Sequence, residues 1–142
     1  MRLPHLLLLA TLACSGCYAS SVVEKGAREV KVAEAKVDWQ PAQAGDVPGF
    51  YASTQIEGEA AGALLKAYYY FGAEGEYSGA AMVVSPEGPR FVVIEEEGRY
   101  AFSAEGIDLN DGSGPVALDA APGRLRLRSA DTTIVFERVE LQ

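Results

Sequence analysis

The chain has 142 residues, with 12 basic against 20 acidic side chains and a net charge of −8 at pH 7. That balance excludes a nucleic-acid footprint, which demands clustered basic charge, and electrostatic adhesion to anionic lipid. The only histidine, His5, and both cysteines, Cys14 and Cys17, fall in the first 17 positions, so the rest of the chain offers no imidazole or thiol for general-base, nucleophilic or metal-ligand chemistry.

Arg2 precedes an apolar run from Leu6 to Ala13, and small residues follow at Ser15, Gly16, Ala19 and Ser20. A basic start, an apolar run and a small-residue zone describe a secretory signal peptide. The run is shorter than the ~20 residues that cross a bilayer as a helix. Cys14 and Cys17 form a C-x-x-C pair, but a redox motif belongs near a βαβ pattern and a zinc site needs further ligands. Neither context exists. Instead, Ser15-Gly16-Cys17 resembles the lipobox of bacterial lipoproteins, in which small residues precede a cysteine that is acylated and becomes the new N-terminus. Cys14 stands where that pattern usually has leucine. Thr11-Leu12-Ala13-Cys14 is a competing match, and simple cleavage after Cys17-Tyr18-Ala19 is a third outcome. The resemblance implies a signal peptide over 1–16, lipidation at Cys17, and anchoring of the chain to a membrane of the bacterial envelope, with the outer membrane the expected site. Cleavage before Cys17 leaves 126 residues with a net charge of −9, enough for one domain with its own core.

Residues 17–47 read as a partly helical or disordered tether. Val23, Ala27, Val30, Ala33 and Val37 recur at helical spacing, with i, i+4 charge pairs at Glu24–Arg28 and Lys25–Glu29. Gly26 interrupts this pattern, Glu29-Val30-Lys31-Val32 alternates like a strand, and QPAQAGDVPG breaks any regular element. For Trp39 three placements stay open: packed on the domain, at the membrane interface, or exposed.

From residue 48 to 142 the pattern is all-β. Strands are expected at 49–56, 64–71, 76–84, 90–95, 99–103, 115–119, 124–129 and 132–139, with a weaker one at 106–109. Between them lie GAEG, SPEGP, EEG, NDGSG, APG and SAD, all turn chemistry. Short strands at this spacing predict an antiparallel meander, closed as a small barrel or stacked as a sandwich. The connections leave no room for crossover helices beyond one turn in the Ala-rich 58–65. GFYA, GEYS and GRYA, beginning at Gly49, Gly75 and Gly98, share the form G-x-Y-[A/S]. Each glycine is expected at a turn requiring φ > 0, with its tyrosine entering a strand.

Gly49-Phe50-Tyr51 and the hairpin YYYFGAEGEYSGAAMV resemble the start of lipocalin-like bacterial lipoproteins, whose barrels open on G-x-W. Tyr51 stands in the tryptophan position. Its usual basic partner is to be sought among Arg124, Arg126, Arg128 and Arg138. The resemblance implies a lipocalin-like barrel holding a small apolar ligand.

Candidate sites follow from alternation. In LLKAYYYF, Leu65, Ala67, Tyr69 and Phe71 form an apolar inner face, which turns Tyr68 and Tyr70 outward as a partner surface. Tyr69 and Phe71, with Tyr77, Tyr100 and Phe102 on later strands, are the residues that line any ligand cavity or else fill it. Arg124, Arg126 and Arg128 share one face, there to pair with acids across the sheet or to meet an anionic partner. Glu95-Glu96-Glu97 is expected at a solvated turn. DLNDGSG at 108–114 lacks the spacing and twelfth-position glutamate of an EF-hand and reads as a turn. No metal, cofactor or catalytic residue is assigned. The function expected is that of a non-catalytic binding module for a small apolar ligand or an envelope protein, with an enzyme inhibitor or assembly factor acting through the tyrosine face as the alternative.

Overall fold

Alternating apolar and polar side chains set the strands of residues 37–142, which a computed structural model describes. The expected signal peptide, Cys17 and most of the expected tether lie outside the described residues. Ten strands follow in chain order: β1 (Gln40–Pro41), β2 (Gly49–Gly58), β3 (Leu64–Phe71), β4 (Glu76–Val83), β5 (Arg90–Arg99), β6 (Ala101–Ser103), β7 (Gly106–Asp108), β8 (Ala117–Ala121), β9 (Arg124–Arg128) and β10 (Thr132–Arg138). Eight of them form one antiparallel sheet in the order β1-β8-β9-β10-β2-β3-β4-β5. The expected antiparallel meander is therefore present. Pairing of β10 with β2 joins the two ends of the strand series along seven register pairs. The β6–β7 hairpin touches the start of β8 through Ile107 and Val116, whose N–H groups donate to each other's carbonyls at 2.9 and 2.8 Å. β5 pairs only with β4 among the described residues, so the hydrogen bonding does not close a barrel.

Four local expectations differ from the structure. The packed chain begins at Asp38 rather than at residue 48: β1 pairs with β8, the Ala42 N–H donates to the Leu118 carbonyl at 2.9 Å, and Val47 is fully buried. Pro41 is tolerated there because it sits on an edge strand, where a missing N–H costs the ladder little. Leu65 was expected in the core, but a register shift between Leu64 and Lys66 leaves it unpaired and exposed, and Leu64 packs inward instead. Glu95-Glu96-Glu97 lies within β5, not at a turn, because register shifts opposite Gly79 absorb the extra residues. Gly49 and Gly75 do have positive φ, at 150° and 89°. Gly98 does not take that conformation; it is needed for close approach, since a Cβ there would stand 2.2 Å from the Tyr77 ring.

Tyr51, Ala67, Phe71, Tyr77, Leu118, Leu125, Ile134 and Phe136 are buried along the inner face of the sheet, and Val47 and Ile107 join the same core from flanking segments. Burying each large side chain contributes about 1.5–3 kcal/mol. Where β2 and β3 part beyond Ala52, the buried Ser53 hydroxyl accepts the Ala67 N–H at 2.9 Å, replacing a lost ladder bond.

Candidate binding surface

The five inward aromatics come together. Tyr69 stacks on Phe71 at 5.6 Å and meets Phe136 edge-on at 5.8 Å. Phe71 contacts Tyr77 at 6.2 Å and Tyr100 edge-on at 5.3 Å. Phe102 is half-buried against the same core. Ring lies on ring through the interior. Gly79 makes room for this, since a Cβ there would stand 2.6 Å from the Tyr69 ring. The three G-x-Y tyrosines act alike: Tyr51, Tyr77 and Tyr100 donate their hydroxyls to the carbonyls of Asp46, Leu109 and Gly72 at 2.8, 3.1 and 2.7 Å. Each ties a strand to a loop. Burial raises the pKa of all three and pushes Tyr69 up to about 12.

The opposite face of β2–β5 is also aromatic, yet it faces outward. Tyr68 and Tyr70 point there as alternation requires; Tyr70 is exposed and Tyr68 half-buried. Phe50 stacks on Tyr68 with centroids 6.4 Å apart and planes at 12°, and Tyr68 stacks on Phe91 at 6.2 Å and 30°. Across the strands Tyr68 is opposite Ala80, and Tyr70 is opposite Phe50 on one side and Ser78 on the other. Small side chains on β4 leave a groove of about 570 Å³, bordered by Phe50, Tyr68, Tyr70, Ala80, Phe91 and Val93. Phe91 and Val93 are 62% and 63% exposed, far beyond what burial drives. Rings already held against one another can bind an apolar or aromatic partner with little loss of side-chain freedom.

Sequence reasoning missed Phe50, Phe91 and Val93. Phe50 was legible, because a strand that turns Tyr51 inward must turn its neighbour outward. RFVVI gave no such signal: four apolar residues in a row read as a strand covered on both faces, whereas β5 lies at the sheet's edge.

The outer face of β8–β10 is closed by charge. Arg126 Nε and Nη2 donate to Asp119 Oδ2 at 2.9 and 2.8 Å, and Arg128 Nε and Nη2 donate to Oδ2 and Oδ1 of the same carboxylate at 2.7 and 3.1 Å. Arg124 pairs with Glu137 at 3.1 Å. Trp39 packs on the domain, with the Arg126 guanidinium 4.7 Å from its ring centre. Burial pushes the Asp119 carboxyl up, but the hydrogen bonds and charges of Arg128 and Arg126 outweigh it and hold the group below its ordinary value. All three arginines of the β9 stripe thus pair with acids.

Arg138 lies over the Tyr51 ring at 5.5 Å and donates to the Tyr51 hydroxyl at 2.9 Å. Of the four arginines considered as its partner, this is the one in contact. In DLNDGSG, the Asp108 carboxylate accepts the Asn110 N–H and the Asp111 carboxylate accepts from Ser113, so both serve the turn itself. Among the described residues no three His, Cys, Asp or Glu side chains gather as a metal site. Comparison with protein-family models, with curated proteins and with solved structures gives no match.

Proposed function

We propose that this chain is a bacterial lipoprotein, acylated at Cys17 and held at the cell envelope, whose lipocalin-like β domain is a non-catalytic module that binds an envelope protein. The observation that carries the binding reading is the outer-face ladder Phe50–Tyr68–Phe91, ending in exposed Phe91, with exposed Tyr70 and Val93 beside it. Exposed aromatics in one patch are characteristic of protein contacts, where a few of them supply most of the energy. The packed interior favours this protein-binding reading over a small apolar ligand, because Tyr69, Phe71, Tyr77 and Phe136 occupy the space a ligand needs. Placement of Arg138 over Tyr51 agrees with the basic partner that the lipocalin resemblance calls for.

Two experiments test the two halves of this reading. Intact mass spectrometry of the membrane fraction should find a mature N-terminus at Cys17 carrying acyl chains, abolished by Cys17→Ser. An unmodified product starting at Ser20 would remove the anchor. Crosslinking in envelope membranes should capture a defined protein with the wild-type chain and lose it with Tyr68→Ser/Tyr70→Ser. Equal capture by both would remove the tyrosine face as the contact.

A further inference from the structure

The outer edge of β5 is a second feature, and Phe91 and Val93 border both it and the tyrosine face. This strand spans ten residues and, among the described residues, pairs only with β4. Its far edge over Arg90–Ile94 has no hydrogen bond there, whereas the Glu96 and Glu97 N–H groups donate to the Glu95 carboxylate. Phe91, Val93 and Ile94 are exposed along it. An open edge carrying large apolar side chains is a template for another strand. The register against β4 is uninterrupted from Arg90 to Val93 and shifts beyond it. Such shifts bend a strand, so the regular edge available for pairing is Arg90 to about Ile94.

Charge along that stretch has a direction. It starts with basic Arg90, runs through Phe91-Val92-Val93-Ile94, and ends in acidic Glu95 and Glu96. A strand that is basic at its start and acidic at its end is complementary to its own antiparallel copy. We propose that two copies of this chain pair through their β5 edges about a two-fold axis at Val92, continuing the sheet from one copy into the other. In an antiparallel pair with a two-fold axis normal to the sheet, the same face of each copy stays on the same side. Facing residues are therefore separated by an even number of positions. Val92 then meets Val92 of the second copy, and Phe91 meets Val93 of the second copy on the outer face. Arg90 comes alongside Ile94 and Glu95 of the second copy. The two aromatic ladders become continuous across the axis. An unrelated strand could match the apolar stretch, but this sign reversal selects another copy.

The test is a charge swap at the edge, read by size-exclusion chromatography with light scattering on the full chain in mild detergent. Wild type should dimerise with rising concentration. Arg90→Glu makes both ends of the edge acidic, and Glu95→Arg/Glu96→Arg makes both basic; each alone should lose the dimer. Mixed in equal amounts, the two variants should form a heterodimer, because acidic ends then meet basic ends at both contacts. A wild-type chain that stays monomeric throughout, or variants that self-associate as well as wild type, would overturn the proposal. So would failure of the two folded variants to pair. Arg90 does not border the aromatic groove, whereas Glu95 and Glu96 do, so an Arg90→Glu chain that loses the dimer and keeps the envelope partner separates the two results.

Discussion

The outer surface of the sheet carries a charged stripe and an aromatic one, and they differ in what they meet. On β8–β10 the arginines 124, 126 and 128 find carboxylates, and Arg126 also finds the Trp39 ring. On β2–β5 the rings of Phe50, Tyr68 and Phe91 stack on one another, and among the described residues Phe91 is left 62% exposed. Saturated groups hold the molecule together. Unsaturated ones are free to recognise something else. Substitutions on the first stripe should therefore cost stability, and those on the second should cost binding.

The largest effect is expected at Asp119. Its carboxylate is 9% exposed and serves two guanidiniums. Removing one partner of a buried ion pair typically costs about 3–5 kcal/mol, because the remaining charge is left uncompensated. Arg126 and Arg128 keep some access to water, which puts Asp119→Ala near the low end. For a domain of this size that is a fall of more than ~10 °C in Tm, measurable by calorimetry. The pH dependence has a definite sign. A carboxyl whose folded pKa is depressed contributes fully above the unfolded value of ~3.9 and loses that contribution as pH falls through its folded pKa. Wild type should therefore exceed Asp119→Asn by a constant margin near neutrality, and the margin should shrink in acid below about pH 4. A margin independent of pH down to ~2 would show that the carboxylate charge does not hold the stripe together.

Trp39→Ala should come next. The cation–π contact and the burial around it are worth about 1–2 kcal/mol, read as a lower midpoint in urea. No loss would mean that residues 38–41 do not fasten the edge of the sheet.

How far the sequence carried this comparison depends on what each residue type signals. Strand positions were legible because alternation and Gly-rich turns are local. The outward direction of Tyr68 and Tyr70 followed from the same alternation. The pairing of Arg126 with Asp119 was not, since register between β8 and β9 is a property of two strands together. Leu65 shows the limit of alternation: one extra residue at a bulge reverses the face of what precedes it. The stretch at 38–47 misled for a different reason. Pro and Gly forbid helix and central strand, but they leave a chain free to run along an edge, and Val47 then adds a buried anchor. Gly98 could not be told from a turn glycine without knowing that the Tyr77 ring lies against it.

Tyr68→Ser/Tyr70→Ser should cost less stability than Asp119→Ala while weakening capture of the proposed envelope protein. The smallest effect, and the sharpest test of the ladder, lies in separating the two. Tyr68 is enclosed between Phe50 and Phe91, and stacked pairs are worth about 0.5–1.5 kcal/mol beyond area burial. Tyr70 is 45% exposed, and exposed substitutions usually stay within about 0.5 kcal/mol. Tyr68→Ser should therefore lower Tm measurably, whereas Tyr70→Ser should leave it nearly unchanged and show its effect only in binding. The opposite ranking by differential scanning calorimetry would mean that Tyr70, not Tyr68, is the ring held in place, and that the outer aromatics do not stack as described.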